Sequence, residues 1–454
     1  MTITETIATS KMSSLQIRAV ILAIGLVILD GYDVTVISFT APYIAQEYHA
    51  SASLLGLVLS GSLIGMFIGS VLLGPVADRI GRRNMAVIST ITVAVGMAIG
   101  PIGRDMAILM VSRIVTGIGL GALVASVGVI VAEYSNRKRY PFVMALFAAG
   151  INIGAVLGAV IVGPIINLPS IASLAYPWGG WRFAFVVGAA LAVVAIVASS
   201  WLFPESIAWM AEGRRKDSLQ RLNALLAKIG QPAMNELPAK DSGDRQAEAK
   251  GSVRMVFTPG LRWKTIVMIL AYICYMIVFY FITNWMPTRV TDMNGGDLSL
   301  AAPAITAFSL GGIIGTAIFG AIAAKVSPRI LTPIFLVIGF GTMLWFAAAH
   351  GTFGALFPVI LIMGFFVSAG TGGFYVIVPK LYPTLARATG YGVVIGAGRL
   401  GGIAAPILAG FAFAAGWSTP LTFVIFAIPL LIASVAVLVL HFGVKRSATP
   451  ELAE

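Results

Sequence analysis

Charge is scarce in this chain. Of its 454 residues, 11% are Asp, Glu, Lys or Arg and 58% are hydrophobic. A soluble domain carries roughly 25% charged residues, so an ordinary soluble globule is excluded. Cysteine is limited to Cys274, inside an apolar run, which rules out an internal disulfide. The three histidines, His49, His350 and His441, are scattered, so no metal site is expected. No phosphate-cradling loop or Walker pattern is present, which argues against ATP-driven transport, and no cofactor is expected. Enzymatic chemistry therefore has no foothold in the sequence. Acidic residues are outnumbered 18 to 30, giving a formal charge of +12. That balance fits nucleic acid in principle, but the basic residues sit in short loops between apolar runs, so no nucleic-acid partner is expected. No cleavable leader is evident either. The polar stretch 1–16 runs into a segment too long for a signal h-region.

Long apolar runs dominate what remains. A bilayer span needs about 20 mostly apolar residues. Twelve candidates meet that scale: 17–40, 54–77, 84–102, 106–134, 141–167, 181–203, 264–286, 299–323, 330–349, 353–376, 388–413 and 418–441. Glycine is abundant at 50 residues and recurs at helical spacing, as in Gly61, Gly65 and Gly69, where membrane helices approach closely. With the N-terminus inside, 25 of the 30 Lys and Arg fall in inner segments and three, Arg104, Arg182 and Arg289, in outer loops. The positive-inside rule therefore places both termini in the cytoplasm. The longest loop, 204–262, separates six spans from six and carries an apolar pattern over 207–229 that suggests an amphipathic helix. The expected fold is an all-α membrane protein: a bundle over 1–203, a cytoplasmic linker over 204–262, and a second bundle with a short cytoplasmic tail over 263–454. The loop 74–83 (GPVADRIGRR) has an echo at 320–329 (GAIAAKVSPR), which supports two pseudo-symmetric halves.

Two acids break the first run. Asp30 and Asp33 are spaced i, i+3 and so project from one helical face. A charge at bilayer depth costs at least ~2.5–3.5 kcal/mol on insertion scales, so such residues are usually functional. Paired acids away from bulk water suit proton carriage, and a proton-coupled transporter is the first reading.

The sequence Gly74-Pro-Val-Ala-Asp78-Arg79-Ile-Gly81-Arg82-Arg83 resembles the signature loop of the major facilitator superfamily. Arg113-Ile-Val-Thr-Gly117-Ile-Gly119-Leu-Gly121 resembles its fourth-helix motif, and Phe203-Pro204-Glu205-Ser206 with Gly180-Trp181-Arg182 flanks the sixth span as in several of its families. Within the superfamily, Asp30-Gly31-Tyr32-Asp33 resembles an element of the aromatic acid:proton symporters. Tyr382-Pro383-Thr384, Arg387-Ala388-Thr389-Gly390 and Gly398-Arg399-Leu400-Gly401-Gly402 are similar to that family's region around the tenth and eleventh helices. The resemblance implies the major facilitator fold and uptake of benzoate-like or hydroxybenzoate-like acids with protons, in a bacterial inner membrane. By position it carries importance to Asp30, Asp33, Gly74, Asp78, Gly81, Arg113, Glu133, Arg387 and Arg399.

Helical rise fixes depths. Asp33 and Arg113 each lie seven residues from the outer end of their spans, roughly 10 Å deep, so they can pair. Arg399 and Asn152 are each eleven residues in from the inside, roughly 16 Å and near the midplane. Arg399 is therefore expected to grip a substrate carboxylate through two parallel bonds. Asp30, Asp33 and Arg113 form the expected proton-coupling group, with Asp30 favoured as carrier. Burial favours a protonated carboxylate and a neighbouring guanidinium an ionised one, so a movable partner can switch a proton on and off. The plainer alternative is a static brace between two helices.

For an aromatic substrate, Tyr32, Tyr272, Tyr275, Phe279, Tyr280 and Asn284 are the candidate slot residues, against ordinary packing or lipid contact. Trp285 reads as an outer interfacial anchor, and Phe374 and Tyr375 as gating or packing residues. Gly74, Asp78, Arg79, Gly81, Arg82, Glu133 and Arg387 are expected to act as a cytoplasmic latch, with Glu133 facing Arg137, Lys138 and Arg139. Simple positive-inside anchoring is the competing account. The expected partners are a small aromatic carboxylate, protons and the lipid bilayer, with the chain a monomer. A sugar or other organic-acid symporter ranks lower, because the seventh span is aromatic and lacks Gln. A drug/proton antiporter also ranks lower, because Gly163-Pro164 is followed by Ile165-Ile166 rather than Gly-Gly.

Overall fold

The computed structural model describes residues 10, 12–136, 138–213, 217–237, 253–383 and 386–447. Among them every regular element is helical. The reason is elementary: in hydrocarbon each backbone N–H and C=O must be satisfied within its own segment, and a helix does this. The long helices are α1 (Ser14–Glu47), α2 (Ala52–Leu72), α3 (Arg82–Ile102), α4 (Met106–Tyr134), α5 (Tyr140–Leu157) and α6 (Arg182–Trp201). They continue with α7 (Arg262–Met293), α8 (Ala301–Ala323), α9 (Pro328–Ala348), α10 (Phe353–Ile377), α11 (Arg387–Ala414) and α12 (Thr419–Ser447). Eleven helices among the described residues are long and apolar enough to cross a membrane. The remaining expected span is α5, which runs on through a π turn (Gly158–Val162) into a last turn, Gly163–Ile165. Val193, Val194, Val197 and Trp201 of α6 are exposed. An apolar stripe of this kind belongs in lipid, and the chain is a multi-pass membrane protein.

The chain packs as two compact units, one of residues 1–36 and 61–242, the other of 37–60 and 243–454. Glycine sets the helix crossings. In the first unit, a Cβ on Gly154 would overlap the Ile28 carbonyl, and one on Gly117 the Ser62 carbonyl, so α5 meets α1 and α4 meets α2 backbone to backbone. In the second, Gly56 lies against Pro406 and Gly410 against Ala52, seating the start of α2 on α11. That hairpin segment is tied by hydrogen bonds from Ser60 to the Ile403 carbonyl (2.8 Å) and from Ser38 to Asn284 Oδ1 (3.5 Å). A hydrophobic cluster of Phe319, Leu331, Phe335 and Ala369 fills the space among α8, α9 and α10. Cys274 is buried on α7.

The expected amphipathic linker takes the form of two short helices, Ile207–Ala211 and Ser218–Lys228. Leu222, Leu225 and Leu226 face inward on the second, as the apolar pattern requires.

Candidate functional site

In the first unit the fourth-helix arginine meets the first-helix aspartate. Arg113 Nη1 and Nη2 donate to Asp33 Oδ1 and Oδ2 at 2.7 and 2.5 Å, a bidentate fork, and both side chains are fully buried. Ser62 of α2 adds a third bond, its hydroxyl donating to Asp33 Oδ2 at 2.9 Å. The Phe185 ring lies 5.8 Å from the guanidinium carbon and closes that side. A pair removed from water requires such near-complete satisfaction, because each ion forfeits several kcal/mol of hydration. The small residues around it allow the approach: a Cβ on Gly61 would touch the Arg113 Cβ. The depth estimate thus matches the observed pairing. Ser62 carries no sequence signal of its own; one hydroxyl in a glycine-rich apolar helix is common.

Asp30 is buried one turn earlier on α1. Tyr32, between the two aspartates, points elsewhere. Its hydroxyl donates to the Ala184 carbonyl at 2.6 Å, and its ring packs where a Cβ on Gly158 or Gly188 would sit. It therefore ties α1 to α5 and α6, beside the π turn. Asn152 is half-buried on α5.

The second unit holds the aromatic stripe of α7. Tyr272 and Tyr275 stack at 6.0 Å, and Phe374 packs against both at 5.1 and 5.2 Å. Both tyrosines are fully buried. The Tyr275 hydroxyl lies 2.5 Å from Thr371 Oγ1 and 3.0 Å from the Val367 carbonyl. Phe279 and Tyr280 are half-buried and meet edge-to-face at 5.5 Å. Asn284 is buried, donating to the Tyr280 carbonyl at 2.8 Å and accepting from Ser38. Phe281 stacks on Phe426 of α12, and Trp285 is buried against Phe413 rather than anchoring an interface. Phe374 is a packing residue, and Tyr375 meets Tyr391 edge-to-face.

Three glycines of α11 explain where Arg399 lies. A Cβ on Gly398 would enter the Tyr272 ring, one on Gly401 the Ile273 carbonyl, and one on Gly402 the Tyr280 ring. The Gly-Arg-Leu-Gly-Gly run is thus the surface on which α7 lays its aromatics, and half-buried Arg399 sits within it. Sequence reading singled out that run without its partner. Tyr382 belongs to the same region, its hydroxyl donating to Thr265 Oγ1 at 3.1 Å, while Thr265 donates to the Val256 carbonyl. Burial raises the Tyr382 phenol above its ordinary value, so it remains a donor throughout the physiological range.

The signature loop folds as a short helix, Gly74–Ile80, and Gly81 follows at φ 101°, a backbone that favours glycine. Asp78 pairs with Arg82. Arg83 donates its guanidinium to the Ser200 carbonyl and its backbone N–H to Glu205 Oε1 (3.1 Å). Glu133 turns toward the linker rather than the basic run after α4: Ser206 Oγ and the Ile207 N–H donate to it at 2.8 and 2.7 Å. Trp209 Nε1 donates to the Asp78 carbonyl at 3.1 Å. Asp78 and Arg82 therefore bind each other, and Asp78 and Glu133 meet the linker's first helix and its cap, inside the first unit. Arg79 is exposed. Thr384 and Arg137 lie outside the described residues, as does the side chain of Arg387. Among the described residues no cluster of His, Cys, Asp and Glu could hold a metal.

Known proteins share this organisation. A family model for the Major Facilitator Superfamily matches residues 23–340 and 291–453. The gallate transporter of Pseudomonas putida is 27% identical over 430 residues, covering 95% of this chain and 92% of its own. The 4-hydroxybenzoate transporter PcaK of Pseudomonas aeruginosa is 26% identical, covering 94% and 93%. The benzoate transport protein of Acinetobacter baylyi is 22% identical, covering 99% and 94%. Among solved structures, a bacterial homolog of the human lysosomal transporter Spinster, inward-facing and unoccupied, superposes with a TM-score of 0.69 at 15% identity. That match covers 94% of this chain and 97% of the other and concerns the fold alone.

Proposed function

This chain belongs to the major facilitator superfamily of membrane transporters, and we propose that it imports an aromatic carboxylate of the benzoate or hydroxybenzoate type together with a proton. The observation that carries the proton part is the buried Asp33–Arg113–Ser62 cluster, an ionisable carboxylate inside a membrane span. The names of the relatives support the substrate class. Asp30 takes the proton from the outer side and Arg113 responds by holding or releasing Asp33. Neutralising an acid this deep removes much of the cost of moving charge through the bilayer.

The second unit supplies the acid's grip. Arg399 binds the carboxylate, and half-buried Phe279 and Tyr280 offer the ring its apolar wall. Tyr272, Tyr275 and Asn284, engaged with the protein, hold that wall in place. Transport proceeds by alternating access, and the ties of segment 37–60 to Asn284 and Ile403 break as the outer side opens. The chain works as a monomer in the bacterial inner membrane with both termini in the cytoplasm.

The test is uptake of a panel of labelled acids into proteoliposomes, with and without an imposed pH gradient. Accumulation of a benzoate-type acid that rises with the gradient and collapses with an uncoupler is expected. Uptake indifferent to both would overturn proton coupling, and uptake of sugars in place of acids would overturn the substrate class.

A further inference from the structure

A pocket of about 840 Å³ opens at the inner end of the first unit, away from the buried ion pair. Its polar wall is Arg79, Arg83, Asn84 and Ser200; Val87 and Ile88 continue it one turn further into α3. Trp209 of the linker also lines it. The lining therefore changes from cationic to apolar along a single helix that runs into the membrane. Ile88, on that apolar wall, is 45% exposed.

The charges of this wall are not spent on nearby acids. Asp78 pairs with Arg82, and Glu205 accepts from the backbone N–H groups of Arg83 and Ser206. Arg79 makes no ion pair among the described residues. The Asn84 amide donates to the Ile80 carbonyl and one Arg83 nitrogen to the Ser200 carbonyl, so Arg79 and the remaining Arg83 N–H groups are the donors suited to a phosphate. Inorganic phosphate, however, would leave most of this volume and all of its apolar wall unused. A headgroup phosphate carrying acyl chains satisfies both ends at once.

We propose that this pocket binds the headgroup of an anionic phospholipid of the inner leaflet, with Arg79 and Arg83 on the phosphate and Val87 and Ile88 along the acyl chains. The lipid braces the signature loop against the end of α6 and the linker helix, three elements already joined there by Arg83 and Trp209. The proposal is independent of which acid the protein carries.

The experiment is native mass spectrometry of the full chain in detergent, titrated with phosphatidylglycerol or phosphatidylcholine. Phosphatidylglycerol should be retained in preference. Arg79→Gln should reduce its retention about fivefold, the usual scale for one basic side chain at an anionic surface. Arg262→Gln, an exposed charge at the start of α7, serves as the control and should leave retention unchanged. Arg83→Gln should act in the same direction as Arg79→Gln, and circular dichroism checks that it still folds. Equal losses from Arg79→Gln and Arg262→Gln, or no loss from Arg79→Gln, would overturn the site. Full displacement of the lipid by millimolar inorganic phosphate would reassign the pocket to a free anion.

Discussion

The two units bury their special side chains in opposite ways. The first buries a full charge pair, Asp33 with Arg113, and spends Ser62 and Phe185 on completing its surroundings. The second buries uncharged aromatics, Tyr272, Tyr275 and Phe374, and leaves Arg399 of α11 half-covered. Under the function proposed above, the contrast is a division of labour. On the proposed reading the dry ion pair is the group that couples to the proton. The half-covered arginine is, on the same reading, the group that meets the acid.

The strongest way to break the contrast is to unbalance the dry pair. Arg113→Ala leaves Asp33 buried and alone, which should cost about 3–5 kcal/mol of stability. Thermal unfolding in detergent measures it, and the double variant Asp33→Asn/Arg113→Met should recover most of the loss while remaining unable to accumulate acid against a gradient. Recovery of accumulation in that double variant would reduce the pair to a brace. Next comes Arg399→Ala, which removes charge-assisted bonds worth about 1.5–3 kcal/mol and should weaken acid binding about 10–100-fold. Calorimetry of binding reads it, while the unfolding midpoint should hardly move; an unchanged Kd removes Arg399 from the acid. Asp30→Asn sharpens the comparison, since binding should survive and gradient-driven accumulation should fail. Parallel loss of both would place Asp30 in the acid's own contact set.

Smaller effects follow. Tyr275→Phe deletes the bonds to Thr371 and Val367 and should cost about 0.5–1.5 kcal/mol of stability, visible as a lowered unfolding midpoint with little change in Kd. Ser60→Ala removes the tie to Ile403 and should shift the balance of conformations by at most about tenfold, read as altered accessibility of a spin label on the 37–60 hairpin.

Much of this was legible before any coordinates. Helical rise puts Asp33 and Arg113 at equal depth on helices of opposite direction, so the sequence allows the pairing that the structure shows. Spans were legible because a run of apolar residues needs only counting. The π turn in α5 was not, because no residue type demands the extra turn. Direction of side chains was hardest. Tyr32 sits between two acids in sequence yet bonds Ala184, since the aspartates and the tyrosine leave the helix on different faces. Glu133 sits just before three basic residues yet takes Ser206 and Ile207, because the linker helix returns to it from seventy residues away. Trp285 has the composition of an interfacial anchor but finds Phe413. Each of these depends on a tertiary neighbour that local pattern does not contain.

The lone thiol of Cys274, buried on α7, has a practical corollary. A maleimide probe meets almost no background in the native protein. Cysteines introduced at chosen positions, such as one on the 37–60 hairpin and one on α11, would then report distances during turnover without first stripping the chain of its own sulfur chemistry.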